Sequence, residues 1–294
     1  MLDKLTTEER NSRTANLDEM TTLEILEVMN EEDHTVPASV KKELPNIEQV
    51  AKKAIQVLKQ GGRIIYFGAG TSGRLGILDA VECPPTFGTP STLVTGLIAG
   101  GQDAIMKAVE GAEDSEEFGA EDLASMQLSS KDLVIGIAAS GRTPYVIGGL
   151  KYAKKVGAAT GSISCNKDAK ISKYAEFPIE VKTGSEILTG STRLKAGTAQ
   201  KLVLNMISTS AMAGIGKVYK NLMVDVQSTN EKLIERAKRI VMDSTECKYE
   251  QAAEVLERAN GEVKTAIIMI LTNCSYDEAK DRLKSADGFV RKAL

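Results

Sequence analysis

A chain of 294 residues, 42% of them hydrophobic, can bury one large core or a core with a smaller appendage. Its formal net charge of −3 and its pI near 5.6 exclude a general attraction to nucleic acid or to anionic membranes. The single histidine, His34, excludes a histidine-rich metal site. The four cysteines are widely spaced and form no paired motif, which predicts reduced thiols in a cytoplasmic protein.

A Ser-His-Asp triad would have to use His34. Because no nucleophile-elbow sequence occurs, we interpret this histidine as a solvated or loop-capping residue. No apolar run of 18 residues occurs and the N-terminus is too polar for a signal peptide, so no membrane association is expected. Acid–base chemistry is therefore expected to depend mainly on carboxylates, lysine or tyrosine.

The first 60 residues predict a polar arm followed by helices. Residues 1–20 are polar and predict an extended arm, and Thr21 with Glu24 has the spacing of a capping box that opens a helix to about Asn30. Apolar residues at helical spacing predict a longer helix within 37–60, which Gly61-Gly62 ends.

A strand, a glycine loop and a helix start then follow in direct succession. Ile64–Phe67 is a short apolar run that suits a strand buried on both faces. The loop after it contains Gly70, Thr71, Ser72 and Gly73. The glycines of this loop allow the backbone to approach a ligand closely. The helix that begins at the loop favours an anion at the helix N-terminus. This arrangement predicts a phosphate-binding loop.

The spacing Gly68-x-Gly70-x-x-Gly73 also matches the dinucleotide fingerprint. That fingerprint needs an acidic residue about 20 positions later, at the end of the next strand. The corresponding stretch, 92–98, contains no aspartate or glutamate, so the nucleotide interpretation is disfavoured.

A second copy of the motif favours an anion other than a dinucleotide. Ser140-Gly141-Arg142 lies 68 residues after Ser72-Gly73-Arg74, again directly after an apolar strand. In an open parallel sheet both loops lie at the carboxyl ends of the strands, where ligands bind. The hydroxyls of Ser72, Ser140 and Thr143 would add side-chain donors, although any one of them could simply cap a helix.

The rest of the chain alternates strands with helices, which predicts an α/β fold with a doubly wound parallel sheet. Cys83-Pro84-Pro85 is expected to end the first loop's helix near Glu82, and 110–117 is an acidic run expected to be solvated. A polar loop over 184–201 is expected at the ligand-facing edge. The other expected elements are strands at 92–98, 133–138, 159–165 and 176–181, and helices from Gly100-Gly101 to Val109, at 143–156 and at 202–213.

From about Ser228 the strand signal ends and short amphipathic helices are predicted. They span 249–258, 262–271 and 277–283, and Ser275 with Glu278 forms a capping-box pattern. We therefore expect three parts: an N-terminal arm with helices at 1–60, a sheet domain at 61–227 and a helical, UBA-like region at 228–294. The last part could serve as a lid, a dimerisation element or a protein-binding module.

The duplicated loop resembles the sugar isomerase (SIS) domain, a family that binds phosphosugars. That family commonly has Ser-x-Ser-Gly-x-Thr at the second loop, whereas this chain has Ala138-Ala139-Ser140-Gly141-Arg142-Thr143, without the first serine. The resemblance implies an SIS-type sandwich in which Ser72, Ser140 and Thr143 bind phosphate.

Longer blocks, including 79–88, 108–114, 184–201 and 221–225, resemble the N-acetylmuramic acid 6-phosphate etherase family over nearly the whole chain. Some of them, notably 190–195, are shared with the glucokinase regulatory protein. The etherase resemblance implies Glu82 as proton donor and Glu113 as the base at C2, with no metal and no cofactor. The residues implied for substrate and phosphate binding are Gly70, Thr71, Ser72, Gly73, Ser140, Gly141, Arg142, Thr143, Glu186, Ser191 and Lys195.

The resemblance also implies the reaction and the partners. The reaction is cleavage of the D-lactyl ether of a phosphorylated amino sugar, by elimination and then addition of water, in cell-wall sugar recycling. The expected partners are a phosphosugar and a second copy of the chain. A phosphosugar isomerase and a non-enzymatic sugar-phosphate sensor are the alternatives. A glycosidase would also use two carboxylates but has no use for a phosphate-binding loop.

Overall fold

The structure is a computed structural model that describes residues 5–107, 109–226 and 231–294. The chain forms two compact units. One comprises Met1–Val81 and Thr92–Ser208, and the other comprises Glu82–Ser91 and Thr209–Leu294. The predicted boundary between residues 227 and 228 lies outside the described residues. Among the residues described, no helix combines the length and the apolar character needed to span a membrane.

Three helices precede the sheet. They are α1 (Thr22–Asp33), α2 (Thr35–Lys42) and α3 (Leu44–Lys59). The predicted capping box is confirmed: Thr21 Oγ1 accepts from the backbone N–H of Glu24, whose carboxylate accepts from the N–H of Thr21. The longer helix predicted within 37–60 is confirmed as α3, and Glu43 separates it from the shorter α2. Pro45 has no N–H to donate back into α2, and the buried Glu43 carboxylate instead accepts from Asn46 and Lys167.

The parallel sheet is confirmed. Its strands are short, and the three inner ones are buried throughout: β1 (Ile64–Gly68), β2 (Val94–Ile98), β3 (Leu133–Ile137), β4 (Ala159–Ser164) and β5 (Phe177–Glu180). They run in the order β2-β1-β3-β4-β5, and every neighbouring pair is parallel. Ile64 of β1 is in register with Val94 on one side and Leu133 on the other. The strand order therefore reverses between β1 and β3, where such sheets bind ligands.

Helices accompany this sheet, and all but the last of them connect its strands. They are α4 (Gly70–Phe87), α5 (Asp103–Met106), α6 (Glu116–Ser125), α7 (Pro144–Val156) and α8 (Lys195–Gly214). Phe67 of β1 and Tyr145 of α7 are both fully buried, with ring centroids 5.9 Å apart, in the core between the sheet and α7. The acidic stretch expected to be a solvated run contributes the start of α6.

Two predicted helix ends are wrong. The helix α4 does not stop near Glu82 but continues through Pro84 and Pro85 to Phe87. Proline fixes φ near the helical value, so the two prolines remove N–H groups without preventing helical backbone, and the buried Phe87 holds the last turn. The helix expected to reach Val109 ends at Met106, and Ala108 within it lies outside the described residues.

The second unit consists mainly of helices, as expected. After the hairpin β6 (Val218–Tyr219) and β7 (Leu222–Met223) come α9 (Glu231–Thr245), α10 (Tyr249–Arg258), α11 (Val263–Thr272), α12 (Tyr276–Ser285) and α13 (Val290–Ala293). Three of these correspond to predicted helices, and the capping box of Ser275 with Glu278 is confirmed. Their apolar faces share one core, to which α11 contributes the fully buried Ile267 and Ile268.

Candidate active site

The two Ser-Gly-Arg loops follow neighbouring strands at the reversal point of the sheet. The first loop follows β1 and the second follows β3, so both lie at the carboxyl edge of the sheet as expected. The two loops nevertheless differ in backbone conformation. Ser72, Gly73 and Arg74 already lie in the first turns of α4, whereas Ser140, Gly141 and Arg142 form a separate loop before α7.

The first loop brings backbone very close to its neighbours. A Cβ on Gly73 would lie 2.7 Å from both the carbonyl oxygen of Gly68 and the side chain of Ile98, so only glycine fits there. Gly70 has a positive φ of 54° and is exposed, and Thr71 is half-buried beside it. The N-terminal N–H groups of α4 and its dipole therefore begin at an accessible loop, an arrangement that suits an anion.

Ser72 contacts a residue that the sequence did not single out. Its Oγ donates to Oε1 of Gln200 on α8 at 3.0 Å, and both side chains are buried. The amide nitrogen of Gln200 is also buried and has no hydrogen-bond partner among the described residues. A buried donor without a partner costs about 1–3 kcal/mol, so this amide is placed to donate to an additional acceptor. Gln200 lies within the polar stretch 184–201 predicted at the ligand-facing edge, but nothing in the sequence distinguishes it there from its polar neighbours.

Arg74 has a structural role. Its guanidinium donates to the carbonyl oxygens of Ala104, Ile105 and Lys107, at 2.8–3.3 Å. These carbonyls lie at the end of α5, so the arginine takes the place of the helical N–H donors that would have extended that helix. This explains why α5 ends early.

The second loop is tightly packed against the segment after β4. Gly141 has a φ of 69°, and a Cβ there would lie 2.5 Å from the side chain of Ala169, so the loop requires glycine. Ser140 Oγ accepts from the N–H of Arg142 at 3.3 Å and remains partly exposed. Thr143 precedes α7 but makes no capping hydrogen bond with its side chain, which leaves its hydroxyl available to a ligand.

Glu186 caps the helix α8. Its two carboxylate oxygens accept from the backbone N–H groups of Lys195 and Ala196 at 3.1 and 3.0 Å, and its side chain is 1% exposed. Burial raises the pKa of this carboxyl, and the two N–H groups oppose the rise without cancelling it. The cap also explains why α8 begins at Lys195, seven residues earlier than the predicted helix at 202–213.

Lys195 is paired within the chain. Its ammonium lies 2.5 Å from the carboxylate of Glu32 at the end of α1, and both side chains are largely buried. Burial disfavours ionised Glu32, but Lys195, Asn11 and Arg13 outweigh this and hold the pKa of the carboxyl below its usual 4.5.

The start of α8 also approaches the first loop. A Cβ on Gly197 would lie 3.5 Å from the methyl carbon of Thr71. Ser191, in the turn just before α8, is partly exposed. The first unit therefore brings together Thr71, Ser72, Gln200 and the N-terminal turn of α8, which carries Lys195.

Two further buried groups lie near this region. Asp79 on α4 accepts from Asn205 and Ser208 of α8 at 2.7 and 3.0 Å, and burial raises the pKa of its carboxyl despite these donors. Burial and the charge of Glu186 raise the pKa of Cys165 to about 12, which makes this thiol a poor nucleophile. Within residues 5–107, 109–226 and 231–294, no cluster of three His, Cys, Asp or Glu side chains has the geometry of a metal site.

The two predicted catalytic glutamates are both exposed in the single chain. Glu113 lies in a short 3₁₀ turn, Ala112–Asp114, that follows Gly111. Glu82 lies in the penultimate turn of α4 and belongs to the unit formed by Glu82–Ser91 and Thr209–Leu294, whereas Glu113 belongs to the other unit. Neither carboxylate is therefore buried by this chain alone.

Family models match two overlapping stretches. A model described as the glucokinase regulatory protein N-terminal SIS domain matches residues 46–154, and the SIS domain model matches residues 109–210. Among solved structures, phosphoheptose isomerases from Francisella tularensis and Neisseria gonorrhoeae are similar at 13% and 14% identity, with TM-scores of 0.49 and 0.48. Each alignment covers 66% of this chain and 100% of that chain.

Much higher identity is found to proteins named N-acetylmuramic acid 6-phosphate etherase. Those from Geobacillus sp. (strain WCH70), Bacillus cereus (strain G9842) and Bacillus anthracis (strain A0248) are each 68% identical over 267 residues. The alignments cover 91% of this chain and 90–91% of those relatives.

Proposed function

The chain belongs to the N-acetylmuramic acid 6-phosphate etherase family, and from this membership we propose how its residues share the work of the reaction. The protein is a carbon–oxygen lyase that cleaves the D-lactyl ether of N-acetylmuramic acid 6-phosphate. The products are N-acetylglucosamine 6-phosphate and D-lactate.

The chemistry needs a base and an acid. In the ring-opened sugar the aldehyde acidifies the C2 proton, and its removal allows the C3 oxygen to leave as lactate. Water then adds at C3 of the unsaturated intermediate. We propose that Glu113 removes the C2 proton and that Glu82 protonates the departing oxygen. Each such group typically contributes about 10²–10⁴-fold to the rate.

The phosphate is proposed to lie between the two Ser-Gly-Arg loops. The observation that carries this assignment is the placement of both loops after adjacent strands at the reversal point of the sheet. Ser72, Ser140 and Thr143 would supply hydroxyl donors, and Gly70 and Thr71 would supply backbone donors. Gly73, Gly141 and Arg142, whose N–H groups already donate within the chain, would shape the two loops. Glu186, Ser191 and Lys195 would form the sugar-facing side around the start of α8.

We further propose that the active form is a homodimer. Leu78 and Val81 on α4, together with Met106 and Phe118, are apolar side chains that are 49–85% exposed in the single chain. A second copy of the chain would cover such side chains where they lie at the interface. Because Glu82 and Glu113 are exposed, a second subunit could also exclude water from the reacting bond. The four free cysteines support a reducing, cytoplasmic location.

The three-part division at 1–60, 61–227 and 228–294 remains our proposal for the functional organisation. In it the arm and first helices serve the sheet domain. The C-terminal helices form a separate, UBA-like region.

The function is tested by incubating the protein with N-acetylmuramic acid 6-phosphate and measuring D-lactate with a coupled dehydrogenase. Equimolar release of D-lactate and N-acetylglucosamine 6-phosphate is expected. An isomerase would instead release no lactate and convert an aldose phosphate into a ketose phosphate.

A further inference from the structure

Asn166 joins the N-terminal arm to the phosphate-binding region. Its Nδ2 donates to Oγ1 of Thr7 at 3.0 Å and to the carbonyl oxygen of Ala139 at 3.1 Å, and its Oδ1 accepts from Oγ1 of Thr6 at 3.0 Å. Asn166 is 2% exposed and Thr7 is fully buried. Both amide hydrogens and the amide oxygen are therefore used, and buried polar groups satisfied in this way fix a single arrangement.

The carbonyl that Asn166 holds belongs to the residue directly before Ser140. Ala139 also accepts from the N–H of Cys165 at 2.9 Å, so two donors from the segment after β4 fix the orientation of this peptide group. The direction of the Ser140 side chain depends on that peptide. A shift of the Ala139 carbonyl would therefore displace the hydroxyl proposed to bind phosphate.

The arm also contacts the other side of the site. Thr14 is buried, and its Oγ1 donates to the carbonyl oxygen of Ile187 at 2.7 Å. A Cβ added to Gly190 would lie 3.2 Å from a carboxylate oxygen of Glu8, so Glu8 lies close to this glycine. Residues 5–14 are therefore not the extended arm that their polar sequence predicted. Thr6, Thr7, Glu8 and Thr14 contact the loops at the carboxyl edge of the sheet, and Arg13 pairs with Glu31 and Glu32 of α1.

We propose that Thr7 and Asn166 are positioning residues for the phosphate: they fix the second Ser-Gly-Arg loop through the Ala139 carbonyl without touching the ligand. This inference rests on the proposed function, because it takes the second loop as a phosphate site. Its consequence is that losing the Thr7 hydroxyl weakens substrate binding more than it slows turnover.

The test compares Thr7→Val with Thr7→Ser, Asn166→Asp and the control Ser12→Ala. Valine keeps the shape of threonine but removes the hydroxyl, and serine restores it. Asn166→Asp keeps the side-chain shape but removes both donors. Ser12 lies on the same arm and is exposed. Each variant is assayed for KM and kcat by D-lactate release, for N-acetylglucosamine 6-phosphate affinity by calorimetry and for its unfolding midpoint in urea.

We expect Thr7→Val and Asn166→Asp to raise KM and the sugar-phosphate Kd about 5- to 50-fold, with kcat within about threefold of wild type. Thr7→Ser and Ser12→Ala should match wild type. If Thr7→Val and Asn166→Asp lower the unfolding midpoint but leave KM and Kd unchanged, these residues only stabilise the fold and the proposal is overturned. If the wild-type protein binds the sugar phosphate but releases no lactate, the proposed function fails, while the Kd values still decide the role of Thr7. If the wild-type protein neither binds the sugar phosphate nor releases lactate, both the proposed function and the positioning role of Thr7 are contradicted.

Discussion

The ammonium of Lys195 and the carboxylate of Glu32 are 2.5 Å apart, with 5% and 13% of their side chains exposed. The pair joins the start of α8 to the end of α1, across 163 residues of sequence. A lysine proposed to face the sugar is thus held in place by a helix outside the sheet. The stability that this ion pair contributes should therefore depend on pH.

Glu32→Gln should destabilise the protein by about 3 kcal/mol at pH 7, because it leaves Lys195 buried without a counter-charge. The folded-state pKa of Glu32 lies below 4.5, so its contribution is fully present above pH 4.5 and is lost as the pH falls through the lowered value. Urea unfolding of both proteins from pH 3.5 to pH 7 measures the difference. Glu48→Gln, on the exposed face of α3, is the control and should show almost no change.

Glu186 should behave in the opposite way. Burial raises its folded-state pKa above 4.5, so ionisation costs stability as the pH rises from 4.5 through the raised value. The stability of wild type relative to Glu186→Gln should therefore fall between pH 4.5 and pH 8. Urea unfolding across this range is the measurement, and a difference that grows with pH would contradict the assignment.

Ser72→Ala and Ser140→Ala should each raise KM about 10- to 100-fold, because a hydrogen bond to a charged phosphate is worth about 1.5–3 kcal/mol. The control is Ser130→Ala, an exposed serine just before β3, at the opposite edge of the sheet. Steady-state D-lactate release gives KM and kcat. Unchanged KM in both variants would remove the phosphate assignment.

The two glutamates can be separated by isotope exchange. Glu113→Gln should abolish both lactate release and exchange of the C2 proton with solvent deuterium. Glu82→Gln should slow lactate release by about 10²–10⁴-fold and retain C2 exchange. Proton NMR in D₂O follows the exchange. Glu117→Gln, an exposed neighbour in α6, should behave as wild type.

The opposite pattern, with exchange lost in Glu82→Gln and kept in Glu113→Gln, would reverse the two roles. Rapid lactate release from both variants would show that neither carboxylate is essential.

Dimerisation is tested through the exposed apolar residues. Met106→Asp and Val81→Asp should shift sedimentation velocity toward the monomer and reduce lactate release, because a buried carboxylate at an interface is costly. Leu294→Asp, an exposed apolar residue at the C-terminus, is the control. A fully active wild-type monomer at assay concentration would rule out the dimer proposal.

Local signals predicted much of the fold correctly. The capping residues Thr21 and Ser275 mark the observed helix starts, and each of the predicted strands is present in the parallel sheet. These features depend on residues three or four apart or on one continuous segment. The helix α9, Glu231–Thr245, was missed even though its buried Ala237, Ile240 and Val241 follow helical spacing, because charged residues dominate the segment.

Long-range contacts could not be predicted in this way. Nothing local to Glu32 indicates a partner at Lys195, and nothing local to Thr7 indicates Asn166. The rule that proline ends a helix failed at Pro84 and Pro85, which lie inside α4 before the buried Phe87. The sequence pattern located the loops, but the residues that hold them in place became visible only when the chain was folded.

The hydrogen bonds of Arg74 have a consequence for the ionic strength at which the enzyme works. Because its guanidinium is engaged by three carbonyl oxygens, the phosphate proposed to bind at the first loop would be held mainly by helix N–H groups and hydroxyls. Short-range hydrogen bonds are screened by salt far less than the attraction between exposed charges. Phosphate binding at this loop, as proposed, should therefore depend less on salt concentration than binding at a site built from exposed arginines.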